Sequence, residues 1–252
     1  MRMFWGALAG TLFCSAAAGG VVSDNGLNHG GLLALETFEQ EQPRVFPSKW
    51  KARGDDAEAA QIYRVAEEDG NRFLRARSVR QGVQVGLAFS FVAKSYPVLG
   101  WRWRASRLPA GADESVKRSN DSAAGVYVIF DGRIVPRVIK YIWSSSLPVG
   151  TSMRSPHYGW AKLVVLRSGP PRNGDWCEER VNIYEDYRRL FEREPGEVQG
   201  IGLLTDSDDT NTRAEADYDD FVLFPADETA SEPGPLPGLT RGALSQAAEK
   251  KD

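Results

Sequence analysis

"TDSDDTNTRAEADYDDF", residues 205–221, carries seven acidic side chains in seventeen positions and runs directly into "VLF" at 222–224. The apolar end reads as a strand that needs cover. The acidic body admits three readings: a solvated loop, a hard-cation site, or a catalytic carboxylate cluster. Asp206, Asp208 and Thr210 stand at positions one, three and five of an EF-hand-like loop, the spacing by which oxygens converge on a cation. The match then fails, because Asn211 stands where glycine is needed, Asp217 stands at the twelfth position, and no helical pattern flanks the stretch.

The rest of the chain decides what the apolar end packs against. About eleven short alternating or apolar runs recur between turn signals. Among them are "GLLALETFE" at 31–39, "NRFLRARSV" at 71–79, "LGWRWRAS" at 99–106, "RVIKYIWS" at 137–144 and "DFVLFPA" at 220–226. One segment breaks the pattern. Ile183, Tyr187, Leu190 and Phe191 recur at helical spacing behind a capping Asn182, and Pro195 stops the run. The fold expected is all-β, an antiparallel β-sandwich or jelly roll with one short helix.

The opening "MRMFWGALAGTLFCSAAAGG" has a basic start, a short apolar run and an Ala-rich end, so residues 1–18 read as a secretory signal peptide. A periplasmic or secreted protein is expected. Phe13 ahead of Cys14 argues against lipoprotein anchoring, and no later run reaches the ~20 apolar residues of a membrane helix. Cleavage would leave Cys177 alone, so no intramolecular disulfide can form. Residues 19–31 read as a flexible segment and 227–252 as a disordered Pro/Gly/Ala-rich tail, leaving a domain over 32–226. The chain is 42% hydrophobic and 10% aromatic, enough for one sizeable core. A net charge of −3 and a pI near 5.6 argue against nucleic acid or an anionic membrane, which would reward a basic stripe.

Two resemblances add to this reading. "LETFEQEQPRVFPSKWKARG" at 35–54 and "AEADYDDFVLF" at 214–224 resemble the first and last strands of galactose-binding-like, jelly-roll carbohydrate modules. That resemblance implies a structural Ca²⁺ held by Glu39 and Asp220, with Asp219 or Glu36 in support. The alternative is that these are solvated strand-end charges. Four blocks in order also resemble the bacterial DUF3047 family, whose name brings no reaction with it. They are "WRWRASRLPAGADESVKRSNDSAAGVYVIFDG" at 101–132, "YIWSSSLPVGTSMRSP" at 141–156, "RVNIYEDYRRLF" at 180–191 and the stretch at 200–221.

Chemistry has few candidates. With two histidines and no G-x-S-x-G elbow, only His157 in "SPHYGW" could act as a base, and a surface histidine is the alternative. One mature cysteine excludes a cysteine-built zinc site. A glycosidase needs two carboxylates at a set separation, and the adjacent Glu178 and Glu179 would face opposite sides of a strand. A lyase set could be drawn from Tyr141, His157, Arg180 and Asn182. Flat aromatics stack on sugar rings, and Trp101 with Trp103, or Tyr141 with Trp143, share strand faces; a sandwich core is the competing use. In that case Arg102 and Arg104 face outward as the polar half of a groove. The long polar loop 108–125 supplies Asp113, Lys117, Asn120 and Asp121 as a ligand rim. The function expected is non-catalytic binding of carbohydrate or another envelope polymer. A polymer-cleaving enzyme and a structural or partner-binding envelope protein are the alternatives.

Overall fold

A computed structural model describes residues 31–132, 134–171 and 174–226. The signal-peptide, N-terminal-segment and tail readings fall outside these residues, apart from Gly31. The strands are β1 (Leu33–Glu36), β2 (Lys51–Ala52), β3 (Tyr63–Glu68), β4 (Asn71–Val79), β5 (Val85–Val92), β6 (Val98–Arg107), β7 (Ala124–Phe130), β8 (Arg137–Ser144), β9 (Ser152–Arg154), β10 (Ala161–Ser168), β11 (Cys177–Asn182), β12 (Glu197–Leu204) and β13 (Arg213–Phe224). Helices α1 (Asp56–Ile62) and α2 (Ile183–Phe191) complete the fold. No described helix is long and apolar enough to cross a membrane.

The strands form two sheets. One runs β11-β6-β13-β4-β3 with β1 also on β13, and the other runs β2-β5-β12-β7-β8-β10-β9. The acidic stretch proves to be half loop and half strand, because Arg213–Phe224 is the long central strand of the first sheet. Its two halves have different neighbours on one side: β4 pairs with Arg213–Tyr218, and β1 pairs with Phe221–Leu223. The distant ends therefore meet as the N- and C-terminal sequences implied. Phe38 stacks on Trp50 at 6.0 Å, and Trp50 packs on Phe221 at 6.2 Å.

Alternation sends every second strand residue between the sheets. Trp101 and Trp103 of β6 are fully buried there, facing Tyr141 and Trp143 of β8 at 5.9 Å each. Tyr141 and Trp143 are thus core residues, a correction to their assignment as a sugar platform. A sheet whose inner face would otherwise lack bulk fills it with its largest side chains. Trp143 Nε1 donates to the Gly169 carbonyl and Trp103 Nε1 to Glu179, so their polar edges are satisfied.

The helix read from sequence forms where expected, with Asn182 accepting from the Glu185 amide and Ile183, Tyr187 and Phe191 buried. It ends at Glu192 in a left-handed conformation, before Pro195 is reached. Two features differ from the expectation. Residues 56–62 form a second short helix, capped by Asp55, where a single helix was expected. β10 lies parallel to β8, so the sandwich is mixed at that edge.

Candidate functional site

The outer face of the first sheet answers the opening question for the strand half of the acidic stretch. Glu215, Asp217 and Asp219 point outward while Ala214, Ala216 and Tyr218 point to the core. The flanking strands put arginine opposite each one. Arg77 and Arg107 lie across from Glu215, Arg75 and Arg104 across from Asp217, and Arg102 across from Asp219. The ion pairs follow the register: Arg104 to Asp217 at 2.8 Å, Arg75 to Asp217 at 3.2 Å, Arg77 to Glu215 at 3.1 Å and Arg102 to Asp219 at 2.7 Å. Trp176, in the loop before β11, closes over this ladder, with the Arg102 and Arg104 guanidiniums 5.1 and 4.7 Å from its ring. Arg102 and Arg104 do face outward, but both are engaged in the ladder.

At the bulge Asp219–Val222, Asp220 takes a left-handed φ of 50° and turns its carboxylate onto the Arg102 Nε at 2.7 Å. One guanidinium thus sits between Asp219 and Asp220. Burial and the adjacent Asp220 push the Asp219 carboxyl up to about 7, with Arg102 pulling the other way. Glu39 accepts from the Arg72 amide at 3.1 Å, and Glu36 from the Phe38 amide and the Trp50 indole. Burial raises the Asp220 carboxyl, and the nearby Glu39 charge adds to this. Among the described residues, Asp121, Asp206 and Asp208 also converge, with ligand oxygens within 4.8 Å of one another.

These three belong to a second polar region, on the outer face of the seven-stranded sheet. A cross-strand row runs Lys51, Gly86, Gly202, Tyr127, Lys140 over β2, β5, β12, β7 and β8. Two adjacent glycines, Gly86 and Gly202, leave the row without side chains of its own beside Tyr127, and the Gln84 side chain lies over Gly202. A Cβ on Gly202 would stand 3.2 Å from the Val85 carbonyl and 3.5 Å from Tyr127 Cβ. Gly125 makes room for the Lys140 stem, since a Cβ there would stand 3.0 Å from Lys140 Cε. Tyr158 and Trp160, stacked at 4.9 Å and partly exposed, form a ledge along the same face with Ile129 and Val138 beneath. The Arg53 guanidinium lies 6.0 Å from the Tyr158 ring.

Lys140 is buried, with Nζ 3.2 Å from Ser122 Oγ and 5.4 Å from the Tyr127 ring centre. Burial pulls its pKa down, but Tyr127, Asp206 and Glu114 outweigh that and raise it, so the ammonium persists. Burial drives the Asp206 carboxyl well above the carboxylate range, Asp208 and Asp121 add to this, and Lys140 opposes it. Asp206 Oδ1 is buried without a hydrogen-bond partner, and its carboxylate presses on Gly82, where a Cβ would lie 2.2 Å from it. Asp121 accepts from the Asp209 and Thr210 amides and so shapes the loop. His157 Nε2 lies 3.4 Å from Asp209. The cluster could hold a hard divalent cation through three carboxylates. The ledge can offer an apolar ring surface beside both hydrogen-bond donors and acceptors.

The fold gathers some sequence candidates here and scatters others. Asp121, Asp206, Asp208 and His157 come together from three separate loops. Asn120 is buried and donates to the Glu114 carbonyl, Asp113 accepts from the Ser115 amide, and Lys117 is exposed on a 3₁₀ turn. The lyase set is split: Tyr141 and His157 belong to the seven-stranded sheet and its loops, Arg180 and Asn182 to the other. Tyr141 donates to Asp186, Arg180 lies 4.2 Å from the Phe224 ring, and Asn182 is spent as a cap. Sequence reasoning missed Tyr127, Lys140, Arg53, Tyr158 and Trp160. A lysine inside the apolar run "RVIKYIWS" was the legible signal, since burying an ammonium demands partners.

Among solved structures, the chain is similar to the module TmCBM61 in complex with β-1,4-galactotriose, at 11% identity and TM-score 0.37, covering 75% of this chain and 94% of that one. It is also similar to the family 30 carbohydrate-binding module of a cellulosomal cellulase of Clostridium thermocellum, at 9% identity and TM-score 0.38, covering 77% and 99%. The Emp47p carbohydrate recognition domain is matched at 12% identity and TM-score 0.40, covering 79% and 99%. At these TM-scores the likeness says nothing about a site. Curated protein sequences yield no match. The family model described as "Protein of unknown function (DUF3047)" matches residues 48–222, and the chain belongs to that family.

Proposed function

We propose that this protein is a periplasmic or secreted, non-catalytic binder of carbohydrate, and that the outer face of the seven-stranded sheet holds the ligand. The observation that carries the reading is the Tyr158–Trp160 ledge beside a cross-strand row that runs through Gly86 and Gly202 to Tyr127 and Lys140. Sugar rings present apolar faces bounded by hydroxyls. Stacked aromatics can cover the first while Arg53 and the exposed Asp208 bond the second. The extracytoplasmic placement rests on the leader-like residues 1–18.

Affinity electrophoresis and calorimetry over a panel of soluble polysaccharides test it. Trp160→Ala is expected to weaken binding about 10-fold, roughly the 1.4 kcal/mol of one interface anchor. Silence across the panel, or release of reducing or unsaturated sugar ends, would replace this reading with one of its alternatives.

A further inference from the structure

The charge ladder of the first sheet changes character at its last rung. Along β13 the outward positions run Asp219, Asp217, Glu215 and then Arg213. The first three face arginines, and the fourth repeats their sign. Arg213 lies beside the ends of β4 and β6, where Arg80 and Arg107 stand. All three line one open cleft of about 500 Å³ together with Asn211 and Thr212. Arg80 and Arg213 have no ion-pair partner among the described residues, and Arg107 has only Glu215 at 3.8 Å. Further along the ladder, Arg77, Arg75 and Arg104 are held by carboxylates at 3.2 Å or less.

Three exposed arginines around one opening give it a positive field that an anion can join. The backbone supports a built feature, because Arg80 and Asn211 both hold left-handed φ values, 55° and 56°, which cost energy in non-glycine residues. The Arg80 amide is tied to the Thr212 carbonyl at 3.0 Å, which fixes the two strand ends against each other. One loop connects the cleft with the carboxylate cluster. Residues 206–209 carry the carboxylate cluster, while Asn211 and Thr212 line the cleft, and the Thr210 and Thr212 hydroxyls are bonded at 2.8 Å.

We propose that this cleft is an oxyanion subsite and that the ligand class is an acidic polysaccharide, carrying uronate carboxylates or sulfate esters. A guanidinium fork matches either anion in bidentate geometry, and three forks at one opening select for it. The anionic half rests on the arginines alone; the saccharide half rests on the function proposed above.

The test uses the full chain with oligogalacturonate, dextran sulfate, an uncharged dextran and inorganic phosphate, at low and moderate salt. An acidic glycan is expected to bind at least 10-fold tighter than the uncharged one, with the advantage falling as salt rises. Arg80→Ala and Arg213→Ala are each expected to lower that affinity about 5-fold, the double variant to bring it to the level of the uncharged polymer, and Arg213→Lys to retain most of it. Whichever acidic polymer wins identifies the anion. Equal binding of charged and uncharged polymers, or an unaffected double variant, overturns this inference. It leaves the ledge reading standing if Trp160→Ala still weakens binding. Phosphate bound as tightly as any glycan overturns the saccharide half, and no binding to any probe overturns both.

Discussion

At the scale of the residue, two groups of acids in one stretch meet opposite fates. Asp217 is 4% exposed and lies between two arginines placed by strand register, so its charge is matched before any cation or ligand is needed. Asp206 is crowded by Asp208 and Asp121 and has one oxygen without a partner. Its raised folded pKa sets the sign of a pH effect. Well below pH 4, the carboxyl is protonated both folded and unfolded, so it makes no difference to stability. As pH rises toward the folded value, the unfolded chain releases the proton more readily, and stability is lost. Asp206→Asn cannot ionise, so it is expected to melt higher than the wild type at pH 8, with the gap closing toward pH 4. Melting curves across that range check this. A variant less stable by the same margin at both ends would mean that Asp206 is ionised and matched by Lys140.

At the scale of the element, bulges and glycines steer the strands. Gly200 sits at a register shift shared by both partners of β12, with φ 156°, and a Cβ there would lie 2.5 Å from the Leu87 carbonyl. Gly111 has φ 74° with open space around its Cβ position. Gly200→Ala is therefore expected to cost about 2–4 kcal/mol, combining strain with backbone overlap, whereas Gly111→Ala costs about 1 kcal/mol from conformation alone. Chemical denaturation of the two variants separates the terms, and equal costs would show that the sheet relaxes around the added methyl. The elements themselves were largely legible, since alternation marks strands and the Ile183–Phe191 spacing marks a helix. Helix α1 was overlooked because its seven residues hide between a turn and a strand. Its Asp55 cap, acidic first turn and alanines were nonetheless visible signals.

At the scale of the whole molecule, the two sheets are joined by aromatic contacts at their centre. Trp101 and Trp103 meet edge to face at 5.4 Å, and each also touches an aromatic of the opposite sheet. Trp103→Ala is expected to cost about 3–5 kcal/mol, and unfolding should remain one cooperative transition because both sheets lose the same contact. Calorimetry reads both features. Two separated transitions would mean that the sheets are held together elsewhere.

The sandwich class and the helix at Ile183–Phe191 were legible in the residues alone, and the resemblance to carbohydrate modules implied that the first and last strands meet. Period-two alternation and strand-end chemistry are local properties of the chain. Only the tertiary structure decided that Trp101, Trp103, Tyr141 and Trp143 are core, that arginines of β4 and β6 neutralise the acids of β13, and that Lys140, Tyr127 and the Tyr158–Trp160 ledge share a face. Those outcomes depend on which strands become neighbours and in what register. Register is a long-range choice, and a shift of one residue would have turned every one of those side chains to the other side.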